Sequence, residues 1–247
     1  MKRLVAVLVG LALLVTGCSS GAGGASKTEL TVFAAASLKA PFEEIGRQFS
    51  AANPDVKVTF NFAGSRALVD QLSEGAKADV LATADEKSMA KATETKLVGE
   101  TTIFATNTLV LVTPPNNPAT ITGLNDSLNG RKLVICADEV PCGRATQTLA
   151  RNLGVTLTPV SQENSVTSVL AKVTSGEADA AVVYATDAKG AGDKVHSVTI
   201  DGADKVVNKY PIAQTSAPSS KDAAAAFTAF VLNEGRSVME EHGFGAP

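Results

Sequence analysis

The sequence predicts an α/β fold of two lobes joined by two hinge crossovers, and three observations predict it. From Leu30 onward, short apolar runs of strand type alternate with amphipathic stretches, the pattern of parallel or mixed sheets flanked by helices. A Pro/Asn cluster, PPNNP at 114–118, breaks the composition and suggests a second lobe beginning there. A late extended segment, VNKYPIAQT at 207–215, suggests that the chain re-enters the first lobe before its last helix. The division is then 29–108 with 208–247 for lobe 1, and 109–207 for lobe 2. Two α/β lobes on two crossovers make a cleft that can close on a ligand.

LTVFAAA (30–36) is a short apolar run of buried-strand type. After Ser37, residues Leu38, Phe42, Ile45 and Phe49 share one helical face, and Asn53-Pro54 stops the helix. VKVTFNF (56–62) alternates as a strand, Gly64-Ser65 opens a helix through Leu68 and Leu72, and Gly75 ends it. DVLATA (79–84) is a strand and 86–96 a polar helix. TLVLVT (108–113) and KLVIC (132–136) are strands, and a helix over about 144–153 follows the turn at Val140-Pro141-Cys142-Gly143. VTLTPV (155–160) reads as a strand, and Val166, Val169, Leu170 and Val173 mark the next helix. AAVVY (180–184) and VHSVTI (195–200) are strands. Pro211 makes the return segment an edge or crossover strand. One helix over about 220–241 closes the chain, with Phe227, Phe230, Val231 and Val238 toward the core.

The N-terminus is an address. Lys2 and Arg3 precede an apolar run from Leu4 to Val15, and the segment ends Val15-Thr16-Gly17-Cys18. The run is 12 residues, too few for a bilayer that needs about 20, so residues 1–17 read as a secretory signal. Its end resembles the bacterial lipobox, in which Cys18 is lipidated and becomes the new N-terminus. An ordinary signal with an incidental Cys18 is the alternative. Residues 18–28 form a Gly/Ser-rich tether. The folded part is expected outside the cytoplasm, anchored to the cell membrane as a lipoprotein.

Composition excludes several classes. The formal charge is −3, falling to −5 once Lys2 and Arg3 are removed, which argues against nucleic acid as a partner. Two His and three Cys leave little for a cation site, so no metal ligands and no cofactor are assigned. Aromatics make up 4% of residues, with no Trp, which argues against a pocket that stacks bases or sugars. No GxSxG, HExxH or P-loop pattern occurs.

In α/β sheets, ligands sit beyond the carboxyl ends of strands, where helix starts present free N–H groups. The junction residues are Ser37, Ser65, Cys142 and Asn164-Ser165-Val166. For any one of them the simpler reading is an N-cap serving its own helix. Pro41 adds an irregularity: with Ser37 as N-cap, the missing N–H leaves the Ser37 carbonyl without its helical partner.

FAAASL (33–38), FAGS (62–65), GAKADVLATAD (75–85), DEVPCG (138–143), VVYATDA (182–188) and EHGF (241–244) together resemble the molybdate-binding solute receptors of bacterial ABC transporters. The resemblance spans nearly the whole mature chain in register. It implies the two-lobed periplasmic-binding-protein fold of type II and no enzymatic activity. The implied ligand is molybdate, with tungstate beside it, handed by a monomer to a membrane permease. The implied site is the hydroxyls of Ser37 and Ser65, backbone amides at Cys142 and Val166, and the hydroxyl of Tyr184. Two departures stand out: Gly64 and Arg66 flank Ser65 where the family often has serines, and Cys142 replaces a small apolar residue. A receptor for sulfate or another tetrahedral oxyanion is one alternative, and a Cys142-dependent surface enzyme is another. Outside the cytoplasm Cys136 and Cys142 are expected to pair. Arg66 and Arg144 stand beside two junctions and read as solvated first-turn side chains, the alternative being that one pairs with the anion or latches the lobes.

Overall fold

The computed structural model describes residues 27–247. The signal, the lipidation at Cys18 and nearly all of the tether lie outside the described residues. In chain order, β1 (Thr28–Ala35), α1 (Lys39–Ala52), β2 (Val56–Ala63), α2 (Ser65–Ser73), β3 (Val80–Ala82), α3 (Glu86–Glu94) and β4 (Val98–Asn107) come first. Then follow β5 (Leu109–Thr113), β6 (Leu133–Cys136), α4 (Pro141–Leu153), β7 (Ser161–Glu163), α5 (Val166–Thr174), β8 (Ala180–Tyr184), α6 (Ala185–Ala191) and β9 (His196–Val198). The chain ends with β10 (Asn208–Thr215), α7 (Lys221–Leu232) and α8 (Gly235–Glu241). Strand β1 begins at Thr28, a residue the sequence reading gave to the tether; Thr28 pairs with Val56.

Two five-stranded mixed sheets result, ordered β2-β1-β3-β10-β4 and β7-β6-β8-β5-β9. In each, three strands are parallel, and the strand that enters just after a crossover, β10 or β5, runs antiparallel between its two neighbours. The same order thus appears twice although the sequence has no repeat. The first crossover is at Thr108, between β4 and β5. PPNNP is a loop that follows β5 within the second lobe.

Side chains on β1 alternate between two apolar layers. Leu30, Val32 and Ala34 join the main core with Phe42, Ile45, Phe49 and Phe227, while Phe33 packs on the other face with Leu68, Leu72, Leu81 and Met89. The few aromatics concentrate here: Phe42, Phe49, Phe60 and Phe227 meet at ring-centroid distances of 5.3–6.3 Å.

Several expected elements change. VTLTPV forms no strand: only its last residue reaches β6, the Val160 amide donating to the Leu133 carbonyl at 2.8 Å, and the ladder begins at Ser161, since Pro159 has no N–H to offer a neighbour. Helix α4 starts at Pro141, three residues early, since a proline suits the first helical position. The terminal helix breaks at Asn233 into α7 and α8. β10 is a crossover strand with partners on both sides, and it tolerates Pro211 because the register to β4 shifts between Tyr210 and Pro211. Strand β4 and helix α6 carried no assignment from sequence.

Candidate functional site

Ala35 at the end of β1 lies opposite Ala63 at the end of β2, and Cys136 of β6 opposite Glu163 of β7. Each of these strand ends leads into a helical start: a 3-10 turn over Ala36–Leu38 before α1, then α2, α4 and α5. First-turn amides have no acceptor within their own helix and carry a partial positive charge. The four starts converge on one cavity of about 20 Å³, lined among others by Ser37, Ser65, Cys142, Val166 and Tyr184. All five residues named from sequence therefore meet there, and no charged side chain is in the lining. Pockets for organic solutes run to roughly 300–1,000 Å³; this one suits a body of a few atoms.

Neither serine caps its helix. The residue before α2 is Gly64, with no side-chain cap, and Ser37 sits inside the 3-10 turn. The irregular first turn expected from Pro41 is this 3-10 turn, with Leu38 rather than Ser37 preceding α1. Ser37 Oγ is 3.0 Å from Tyr210 Oη, and Ser65 Oγ accepts from the Ala84 amide at 3.0 Å. Ser165 is a true N-cap, accepting from the Ser168 amide and leaving the Val166 amide at the helix tip.

Tyr184 closes the cavity from the end of β8. Asn208 Nδ2 donates to Tyr184 Oη at 3.2 Å and to the Ala84 carbonyl at 3.0 Å. Burial, first of all, pushes the Tyr184 and Tyr210 hydroxyls above the ordinary phenol range, so both keep their protons at any physiological pH. Asp187, at the first turn of α6, accepts from the Tyr184 amide at 3.3 Å. Burial pushes its carboxyl up to about 7.

The sulfurs of Cys136 and Cys142 are bonded, with Cα atoms 5.7 Å apart. This ties the end of β6 to the first turn of α4. A Cβ on Gly143 would lie 1.9 Å from the Ala137 carbonyl oxygen, so only glycine fits this fold-back. Arg144 is not a solvated first-turn residue. Its guanidinium reaches Asp85 at 2.6 Å and Ser88 Oγ at 2.9 Å in the facing lobe, with the Arg144 and Asp85 side chains 21% and 15% exposed. Arg66 reaches Glu139 across the same seam at 3.2 Å but is half exposed. Neither arginine lines the cavity.

Sequence reasoning missed Asn107, Asn208, Tyr210 and Asp85. Asn208 and Tyr210 lie in the segment read only as a return strand. Asp85 lies in a quoted block, where its N-cap role to Ser88 gives it an ordinary explanation. Asn107 ends the unassigned β4, and nothing in its neighbours marks it.

Residues 30–245 match the family of bacterial extracellular solute-binding proteins. The molybdate-binding protein ModA of Mycobacterium tuberculosis is 42% identical over 252 residues, covering 99% of this chain and 97% of the relative. Among solved structures, the substrate-binding domain of a molybdenum ABC transporter protein from Clostridium difficile is 29% identical with a TM-score of 0.65, covering 90% of this chain and all of that one. The periplasmic molybdate-binding protein of Azotobacter vinelandii is 21% identical with a TM-score of 0.77, covering 88% and 99%. The two-lobed periplasmic-binding-protein fold is therefore the fold of this chain.

Proposed function

This chain belongs to the bacterial extracellular solute-binding proteins, and we propose that it captures molybdate, and tungstate with it, and delivers the anion to the permease of an ABC transporter. Cys18 would carry the lipid that holds it at the membrane, and the lobes, 29–108 with 208–247 and 109–207, would close on the anion. The ligand set in this reading is Ser37, Ser65, the Cys142 and Val166 amides, and Tyr184.

One observation carries it: residues far apart in the chain bring the starts of four helices, three hydroxyl side chains named from sequence and no charged side chain to a single small cavity. A fully deprotonated tetrahedral dianion accepts at all four oxygens. Helix starts supply the offsetting partial charge that burial of such an ion requires. The similarity to the Mycobacterium tuberculosis ModA over almost the whole chain supports molybdate as the anion. A Cys142-dependent enzyme is overturned, because the family is one of solute binders and the Cys142 sulfur is held in a disulfide.

A thermal-shift and calorimetric comparison of molybdate, tungstate, sulfate and phosphate tests the reading. Molybdate and tungstate at a hundred times their dissociation constants should each add about 2.7 kcal/mol of stability. A shift with sulfate alone would replace molybdate by sulfate. No shift with any of the four would overturn the receptor reading.

A further inference from the structure

The hydroxyls of Tyr184 and Ser37 are hydrogen-bonded to residues outside the cavity lining. Asn208 Nδ2 bonds the Ala84 carbonyl, which can only accept. That contact fixes which end of the amide is nitrogen. The same nitrogen therefore donates to Tyr184 Oη. With that contact accepted, the Tyr184 O–H is free to donate either to the neighbouring Tyr210 hydroxyl or into the cavity that Tyr184 lines.

A second chain of donors runs to Ser37. The Thr108 amide donates to Asn107 Oδ1 at 3.0 Å, which fixes the Asn107 amide in turn. Its Nδ2 donates to Thr186 Oγ1 at 2.8 Å and lies 3.4 Å from Tyr210 Oη. Tyr210 is fully buried, and its Oη lies 3.0 Å from Ser37 Oγ, a contact in which either hydroxyl can donate. An Asn107 N–H on Tyr210 Oη favours the arrangement in which Tyr210 donates and Ser37 keeps its proton for the cavity. Ser65 needs no such device, because the Ala84 amide can only donate to it.

Asn107 and Asn208 are partners in the β4–β10 ladder, at the two places where the chain passes between sheets. The rings are held as well: Tyr210 meets Phe104, Tyr184 and Phe244 edge-on at 5.3–6.4 Å. Phe244 ends the EHGF block, and the next residue, Gly245, bridges back to Thr106 of β4.

We propose that Asn208, and Asn107 acting through Tyr210, are positioning residues that turn the protons of Tyr184 and Ser37 into the cavity. Both protons are then available to an anion in the cavity. The inference rests on the oxyanion-receptor reading. It goes beyond that reading by assigning the orientation of two donors to residues at the crossovers, outside the cavity lining.

Two double-mutant cycles read by molybdate calorimetry at pH 7.5 test it, since cycles isolate coupling from bulk destabilisation. Asn208→Leu should weaken binding by about tenfold in the unmodified protein, the scale of one misdirected donor to a charge. In a Tyr184→Phe background it should cost less than about twofold, because no proton is left to direct. Tyr210→Phe, which removes one oxygen and keeps the ring packing, should show the same dependence on Ser37→Ala. Asn208→Asp, which places an acceptor where the donor stood, should lower affinity more than Asn208→Leu does. Equal losses with and without the partner substitution, in both cycles, would overturn the proposal while leaving the receptor reading intact. If the unmodified protein binds none of the four anions, both fall together.

Discussion

A Cβ built on Gly64 would lie 2.1 Å from the backbone oxygen of Asn164, in the facing lobe. Its φ of −59° is open to any residue, so contact across the cleft, and not backbone conformation, demands glycine. A serine there does not fit this arrangement of lobes. Gly64→Ala should therefore lower anion affinity at least about tenfold while the unliganded protein keeps its stability within about 0.5 kcal/mol. Calorimetry and urea unfolding on one preparation would show it. Asp187 yields a prediction about pH. Its folded pKa near 7 stands above the ordinary carboxylate value of 3.8, so the native state holds this proton more tightly than the unfolded chain. The stability it contributes is complete below about pH 4. It drains away as pH rises toward 7, and is level beyond. Asp187→Asn keeps an acceptor for the Tyr184 amide and removes the titration. The variant should have a flatter stability profile between pH 4 and 7 and a higher Tm at pH 8; an unchanged profile would contradict the assignment.

At the scale of elements, the β6–α4 hairpin is the segment held by most devices: a proline at the first helical position, Gly143 against the Ala137 carbonyl, and the Cys136–Cys142 bond. Together they aim the Cys142 amide. The bond closes a short loop, for which chain entropy gives about 2 kcal/mol of stabilisation. Replacing both cysteines with alanine should lower stability by about that amount and weaken anion binding, with the two effects measured by denaturant unfolding and calorimetry. If binding is untouched, the disulfide serves the fold alone. Strand β10 does a different job. It carries Asn208 and Tyr210 into the interior of the first sheet, between β3 and β4.

For the whole molecule, what matters is how two similar sheets meet. Asp85 both caps α3 through Oδ1 and receives Arg144 of the other lobe through Oδ2. The pair is mostly buried, so salt screens it less than the exposed Arg66–Glu139 contact. Asp85→Asn preserves the cap and removes the charge pairing. Anion release should accelerate by roughly tenfold, as for other partly buried charge pairs that hold an interface. Stopped-flow release rates would check this, and an unchanged rate would mean the pair does not hold the lobes together. Among the described residues, no helix is long and apolar enough to cross a membrane.

The sequence by itself determined the α/β class and the strand-to-helix junctions at Ser37, Ser65, Cys142 and Val166, because local periodicity and junction chemistry are written in neighbouring residues. Tyr184 came from the family resemblance, and all five are among the residues that line the cavity. Leu38, Phe42, Ile45 and Phe49 are legible as one face without knowing what they pack against. It could not show that VTLTPV forms no strand, that β10 lies between two partners, or that Arg144 finds Asp85. Each of those depends on a residue tens of positions away. The directions of the hydroxyl protons belong to the same class: Asn208 is an ordinary asparagine until the fold sets its amide between the Ala84 carbonyl and Tyr184. Periodicity acts over a few residues and fixes elements, whereas donor direction is a property of atoms in contact, which only the tertiary structure brings together.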